Sequence, residues 1–318
     1  MTDDTSPILV FGATGQQGGS VAAALLNAGI AVRALVRDPA SSVAMALARK
    51  GAELIQGDMA DPGRIRFAMA GARGVFSVQP SSPGGTLSDD DEVRFGISIA
   101  DAATEAGVRH LVYSSGGAVG DKPTGMGHFD SKARIEAHIR ALPIMWTIVR
   151  PVAFMDMLTM PGFGLDENRF DFFARPDQRM QLLAVEDIGK FVVPIFSEPS
   201  QFASQTLTIA SDTVTGAHIG EAFSRAAGRP IAYSRFTDEL LATNPSLAKL
   251  TALLDAGPLA GDADLAMLRA INPAMQSLET WLAGSGFDAF QRALGATGGR
   301  VPSRGVTASP LELEVQGA

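Results

Sequence analysis

From Ile8 to Val149, apolar runs of strand length alternate with alanine-rich stretches of helical period. That alternation is the pattern of a parallel sheet with helices laid on its faces. The predicted strands are Ile8–Phe11, Ala31–Val36, Ala52–Ile55, Gly74–Val78, His110–Ser114 and Ile144–Val149. Several are apolar at every position, as strands covered on both faces are. The expected fold class is α/β: a doubly wound sheet of six parallel strands over residues 1–150, then a smaller C-terminal α+β lobe over 151–295. In that lobe the rhythm breaks into a segment Arg169–Val185, a helix from Glu186, a strand Thr206–Ile209, another strand near Ile231 and helices to Phe290, and some of these segments can return to the first sheet. From Gly295 onward Gly, Pro, Ser and Thr become dense and periodicity stops, so residues 296–318 are expected to be a disordered tail.

Two helix starts are signalled by Asp38-Pro39 and Asp61-Pro62, each placing a capping acceptor before a proline whose missing N–H costs nothing at that position. Ser81 to Asp91 is rich in Ser, Pro and Gly and then acidic, and it predicts a mobile loop of the kind that lies beside a ligand. The leucines at 240, 241, 247, 250, 253 and 254 read as core rather than as a partner groove.

Composition narrows the chemistry. Of 318 residues 46% are hydrophobic, none is cysteine and the net charge is −8. The absence of cysteine removes disulfides, thiolate metal sites and cysteine nucleophiles, suits a cytoplasmic location, and leaves redox work to a cofactor. The acidic balance, with no Lys/Arg run, argues against direct nucleic-acid binding. Met1-Thr2-Asp3-Asp4 carries acids where a signal peptide carries Lys/Arg, and no apolar stretch reaches the roughly 18–20 residues that span a bilayer, so no targeting segment and no membrane partner are expected. The four histidines, at 110, 128, 138 and 218, form no metal-binding spacing, and no nucleophile elbow or P-loop is present.

The candidate chemistry begins after the first strand, at Gly12-Ala13-Thr14-Gly15-Gln16-Gln17-Gly18-Gly19, a GxxGxxG turn that opens a helix. Gly12 lets the chain turn, Gly15 lets backbone N–H groups approach a pyrophosphate, and Gly18 lets helix and sheet pack closely. Glycines also end strands for steric reasons alone, but this triplet stands in the first strand-turn-helix, where such a fold binds its dinucleotide. The second strand ends in Val36-Arg37-Asp38. With Asp38 occupied as a cap, Arg37 is left to read the ribose, which favours NADP(H) over NAD(H), with Arg33 as a second cation; the alternative is a solvated surface arginine. Asp58 and Met59, after the third strand, are placed for the adenine, unless Asp58 is a turn aspartate.

These residues carry a resemblance. Val10-Phe11-Gly12-Ala13-Thr14-Gly15-Gln16-Gln17-Gly18-Gly19-Ser20-Val21, Val36-Arg37-Asp38-Pro39, Gly51-Ala52-Glu53, His110-Leu111-Val112-Tyr113-Ser114-Ser115 and His128-Phe129-Asp130-Ser131-Lys132 together resemble the NmrA-like family of atypical short-chain dehydrogenase/reductases over about 290 residues. The resemblance implies a Rossmann domain binding NADP(H) or NAD(H) and a small substrate or regulatory lobe. It also implies that Val78, Gln79 and Pro80, and Pro151, Val152, Ala153 and Phe154, flank the nicotinamide. Phe154, Met155 and Met157 would line a pocket or be plain core. Ser114 and Ser115 stand near the family's catalytic serine and would bond ribose or substrate, or simply pack the strand end.

A catalytic short-chain dehydrogenase carries Tyr-x-x-x-Lys, with phenol and ammonium on one helix face. Here the tyrosine's place is taken by His128, and Lys132 remains to grip the nicotinamide ribose or to act alone, as the lysine does in the family's reductases. Otherwise Lys132 is a helix lysine paired with Glu136 at i+4. His128 is a proton donor titrating near neutrality, or a capping or core residue. Two functions follow as expectations. One is an NADPH-dependent reductase passing hydride to a small, flat, conjugated acceptor in a cleft between the lobes, such as a quinone or enone. The other is a non-catalytic NADP(H) sensor regulating a protein partner. A homodimer is the base-rate expectation for oligomeric state.

Overall fold

The computed structural model describes residues 5–81 and 87–295; the expected tail at 296–318 and residues 82–86 of the predicted loop after the fourth strand lie outside the described residues. The elements of the first half are β1 (Ile8–Val10), α1 (Gln16–Asn27), β2 (Val32–Val36), α2 (Ser42–Arg49), β3 (Glu53–Gln56), α3 (Pro62–Met69), β4 (Gly74–Ser77), α4 (Asp89–Glu105), β5 (His110–Ser114), α5 (Gly127–Ala141) and β6 (Met145–Pro151). The second half contains β7 (Ala153–Phe154), β8 (Arg169–Phe172), β9 (Arg179–Leu183), α6 (Val185–Ser197), α7 (Pro199–Phe202), β10 (Gln205–Ile209), β11 (Asp212–Thr215), α8 (Gly216–Ala227) and β12 (Ala232–Arg235). It ends with α9 (Asp238–Thr243), α10 (Pro245–Asp255), α11 (Leu265–Ile271), α12 (Leu278–Ala283) and α13 (Phe287–Gly295). No helix among the described residues is long and apolar enough to cross a membrane.

The chain divides into two compact units, one of residues 5–150 with 185–207 and one of 151–184 with 208–295. The first unit is built on a sheet of order β10-β6-β5-β4-β1-β2-β3. The six expected strands are present and parallel to their neighbours. The expectation of six is corrected to seven. β10 adds at the edge of β6, and the bonds Ser204 N to Trp146 O and Val152 N to Ile209 O advance together along both strands, so this pairing too is parallel. A strand as apolar as β6 would otherwise leave an open edge.

One sheet face carries Leu9, Leu35, Val75, Leu111, Tyr113 and Ile148, which the parallel register sets side by side. They meet Ile65 and Met69 of α3, Val93, Ile99 and Ala103 of α4, and Ile135 and Ile139 of α5 in one buried cluster. The other pairing is α1 on α6, held by Ser20, whose Oγ donates to Glu186 O and accepts from Gly189 N.

Two helix starts differ from expectation. Asp61 caps α3 as predicted, accepting from Gly63 N and Arg64 N before Pro62. Asp38 does not cap α2: its carboxylate accepts from Ala40 N in a local turn, and Ser41 is the cap. Asp-Pro supports both arrangements, and here the turn is completed before the helix begins. The predicted loop also runs too long, because Asp89, Asp90 and Asp91 are already helical. Ser88 and Asp91 form a reciprocal capping box, and the acids of the first turn suit the positive end of the helix.

The second unit holds a three-stranded sheet, β11-β9-β7, and a parallel pair, β12-β8. Its core is aromatic: Phe163, Phe170, Phe172, Phe223 and Phe290 are buried and in ring contact. Leu247, Leu250 and Leu254 of α10 are core, as their spacing suggests, whereas Leu240 is exposed.

Candidate functional site

The strand order reverses beside β1, whose neighbours are β2 and β4. Connections leave this point in opposite directions and open a crevice at the carboxyl ends of the strands. The glycine turn stands there. Gly12 has φ +65°, a conformation L side chains rarely adopt, and a Cβ on it would lie 2.9 Å from Val78 Cγ1. A Cβ on Gly18 would lie 2.2 Å from Gly12 O, so that helix α1 and the turn approach as only glycine allows. Gly15 is different: its Cβ would meet only Gly12 O, at 3.4 Å. Gly15 is also the N-cap of α1 and offers no side chain to the first N–H groups of that helix.

The turn is tied to its neighbours. Ser114 Oγ, at the end of β5, donates to Gln17 Oε1 at 2.7 Å. Gln79, just past β4, is buried; its Nε2 donates to Ser77 Oγ at 2.7 Å, while its Oε1 has no hydrogen-bond partner among the described residues. Pro80 and Ser81 follow, and Ser81 Oγ receives a bond from Lys132 Nζ at 3.3 Å. The ends of β1, β4 and β5 and the start of α5 thus form one connected set. Ala13 is buried, Thr14 half-buried and Gln16 exposed on that turn.

Lys132 is half-buried, but its partner is not the Glu136 expected from helical spacing. Its Nζ donates to Glu92 Oε1 of α4 at 2.5 Å, to His128 O at 3.0 Å and to Ser81 Oγ. Glu136 is engaged elsewhere: it accepts from Ser115 Oγ at 2.5 Å, twice from Arg150 and once from Arg140. Burial alone would raise that carboxyl, but the bonds from Arg150 and Ser115 hold it below the usual range. Ser115 is therefore committed to this internal knot, and of the two serines Ser114 faces the turn.

His128 also departs from expectation. Burial first, and then the Lys132 charge, push its imidazole down to about 4, so the ring is neutral at pH 7 rather than poised near neutrality. It lies against Phe129, ring centroids 4.1 Å apart. Tyr113, one strand residue before Ser114, is wholly buried with its hydroxyl unpartnered among the described residues. Burial, reinforced by Glu92 and Glu136, raises that phenol well above its ordinary value.

At the ends of β2 and β3, Arg37 is exposed, and Asp38 is held by Ala40 N. Arg33 is not available as a second cation: it binds Glu53 at 2.7 Å and the carbonyls of Ala68 and Ala70. Asp58 is exposed, and one of its oxygens accepts from Ala60 N, the turn arrangement. Met59 packs against the core cluster.

The remaining sequence-predicted residues belong to the second unit or its border. Pro151 ends β6, Val152 bonds Ile209, and Ala153 and Phe154 form β7 beside Leu182 and Leu183. Met155 is fully buried, whereas Phe154 and Met157 are half-buried.

Two residues at the site, Glu92 and Ser131, escaped the sequence reading. A signal existed: Glu92 shares a helical stripe with Gly96, Ile99 and Ala103, all buried, so a charge stands at an apolar position.

A model of the NmrA-like family matches residues 4–263 of the chain. The NAD(P)H azoreductase of Xenophilus azovorans is 30% identical over 233 residues, covering 73% of this chain and 78% of its own. The NmrA-like family domain-containing oxidoreductase malD of Malbranchea aurantiaca is 32% identical over 255 residues, covering 72% and 75%. The solved structure of NmrA, a negative transcriptional regulator in complex with NAD, is similar with a TM-score of 0.74 over 92% of this chain and 98% of that one, at 22% identity. At that identity the likeness is one of fold.

Proposed function

The chain belongs to the NmrA-like family, and on that premise we propose that it is an NAD(P)H-dependent reductase of a small, flat, conjugated acceptor such as a quinone, an enone or a dye. The observation that carries the reading is the connected set at the strand ends: the glycine turn, Ser114, Gln79 and Lys132 around one crevice. The residues fit a dinucleotide on three counts. A Cβ-free turn meets a helix start with no side-chain cap, which is the arrangement that receives a pyrophosphate. A buried acceptor, Gln79 Oε1, lacks a donor among the described residues, which a ligand hydroxyl or amide would supply. An exposed arginine, Arg37, follows β2, and the neighbouring Asp38 accepts from Ala40 N in a turn, a placement that favours a 2′-phosphate and hence NADP(H) over NAD(H).

When bound, the dinucleotide supplies a hydride. Gly12, Ala13, Thr14, Gly15, Gln16 and Gln17 would wrap its phosphates, with Gly18 setting the helix; Asp58 and Met59 would flank the base. Val78, Gln79, Pro80 and Ser114 would line the reacting half, and Lys132 would hold a ribose hydroxyl in place of Ser81. The acceptor class follows from the proton inventory. His128 is neutral at pH 7, the Tyr113 phenol is raised by burial, and Lys132 is a cation fixed against a carboxylate. Acceptors whose hydride adduct is neutral or a delocalised anion can take a proton from water afterwards. The azo-reducing activity in the name of a relative is of this kind.

A second reading is a dinucleotide sensor without turnover. His128 in the tyrosine's place favours it, and it is consistent with the regulator of the same fold. Anaerobic NADPH oxidation against quinones, enones and dyes separates the two, run on the wild type and Lys132→Met. Wild-type turnover that falls at least about tenfold in the variant, with NADPH still bound, is the expected result, a barrier change of about 1.4 kcal/mol. Tight NADPH binding with no oxidation across the panel overturns the reductase reading in favour of the sensor.

A further inference from the structure

We propose that Glu92 is the positioning residue of the dinucleotide site: from helix α4 it fixes the Lys132 ammonium so that one of its N–H groups is presented to a ligand hydroxyl. The inference rests on the dinucleotide reading above.

Glu92 is singled out within an acidic run. Asp89, Asp90, Asp91 and Glu92 form the first turn of α4. Asp91 closes the capping box and pairs with Arg94, and Asp90 pairs with Arg134 on the surface. Glu92 turns inward, its side chain only 1% exposed, and both its oxygens are used by adjacent residues of α5. Oε1 accepts from Lys132 Nζ at 2.5 Å and Oε2 from Ser131 Oγ at 2.6 Å. A buried carboxylate costs several kcal/mol of desolvation unless paired and hydrogen-bonded on both oxygens, and this one is.

The consequence falls on Lys132. An ammonium has three donors and a stem of four rotatable carbons, so by itself it is poorly placed. Here two donors are fixed by scaffold: Glu92 on α4, and the His128 carbonyl one turn back on α5, at 3.0 Å. The third goes to Ser81 Oγ, the longest of the three at 3.3 Å, on the segment leaving the carboxyl end of β4. Like the His128 bond it has a neutral acceptor, but it alone of the three is made outside α4 and α5, and a ligand hydroxyl can replace it without loss of charge pairing. Ser81 thus holds the position of a ribose hydroxyl, and Glu92 sets the direction in which the ammonium meets it.

A plain structural tie between α4 and α5 would use the same contacts, so the test must separate the two. Affinities for NADPH and for adenosine 2′,5′-bisphosphate, which lacks the nicotinamide ribose, are measured by calorimetry. The proteins are wild type, Glu92→Gln, Ser131→Ala, Lys132→Met and Glu92→Gln/Lys132→Met, each with its melting temperature. Glu92→Gln should weaken NADPH about tenfold and Ser131→Ala about threefold, while the double variant should match Lys132→Met within about twofold, the non-additivity expected of groups acting as one. The bisphosphate should bind all five proteins alike. Equal weakening by Glu92→Gln with and without Lys132, or parallel loss of both ligands, would overturn the assignment; should Glu92→Gln fail to fold, Ser131→Ala, alone and combined with Lys132→Met, decides by the same criteria. Wild type that binds NADPH but reduces nothing removes the reductase reading and leaves this cycle intact. Wild type that does not bind NADPH removes both.

Discussion

Acid should unfold this protein through His110 before most of its carboxylates are protonated. The imidazole lies on β5, 3% exposed, its ring edge-on to Phe196 at 5.6 Å. Its Nε2 is 2.8 Å from Thr147 Oγ1, whose own hydrogen is donated to Phe202 O at 2.7 Å. Thr147 therefore accepts, Nε2 carries the proton, and Nδ1 is the bare nitrogen, buried without a partner among the described residues. Protonation must occur at Nδ1, where no acceptor meets the new N–H, and burial pushes the group down from 6.5 to about 4. A base whose folded value is depressed binds fewer protons folded than unfolded. Its contribution is intact above pH 6.5 and is lost as the pH falls from there toward 4. Between pH 7 and pH 5 the loss is about 2 kcal/mol, from roughly 1.36 kcal/mol per unit. In His110→Leu the titration is gone while Thr147 keeps its bond to Phe202. Urea denaturation at pH 7 and pH 5 should show the variant losing about 2 kcal/mol less than wild type over that interval. Equal losses would refute the argument, as would a folded-state NMR titration of His110 near 6.5.

Two further outcomes concern the cofactor cradle. Gly18→Ala places a Cβ 2.2 Å from Gly12 O and should destabilise the fold by about 2 kcal/mol or more, read as a drop in melting temperature, whereas Gly15→Ala, with only a 3.4 Å contact, should melt like wild type yet bind NADPH more weakly. Arg37→Ala should weaken NADPH by about 1.5–3 kcal/mol and leave NADH nearly unchanged in calorimetric titrations; equal losses for both would rule out a 2′-phosphate contact.

The doubly wound sheet was readable because its central strands are covered on both faces and read as largely apolar runs. Ile8–Val10 and His110–Ser114 are buried at every position. What period cannot give is which edge a later strand joins. Thr206 to Ile209 looks like any short strand, and only the chain's return through α6 brings it beside β6. Helix starts were half readable for a similar reason. Asp61-Pro62 and Asp38-Pro39 are alike in sequence, and what separates them is whether the carboxylate reaches the first helical N–H groups or a turn amide.

At the site the division is between contacts along one element and contacts across two. The glycine turn is local, so its spacing disclosed it. Lys132 was legible as a residue but not in its bonding: helical spacing offers Glu136 four residues on, yet Glu136 serves Arg150 from the next strand, and Lys132 reaches 40 residues back to Glu92. Both exchanges follow from α4 and α5 lying side by side on the same sheet face. Two carboxylates and three cations close to one another can be paired in several ways, and burial decides. Arg150 offers two parallel N–H groups to a wholly buried Glu136, a geometry an ammonium cannot match. With Glu136 taken, the single charge of Lys132 goes to the one buried carboxylate left beside it, and that choice turns the ammonium toward the carboxyl end of β4.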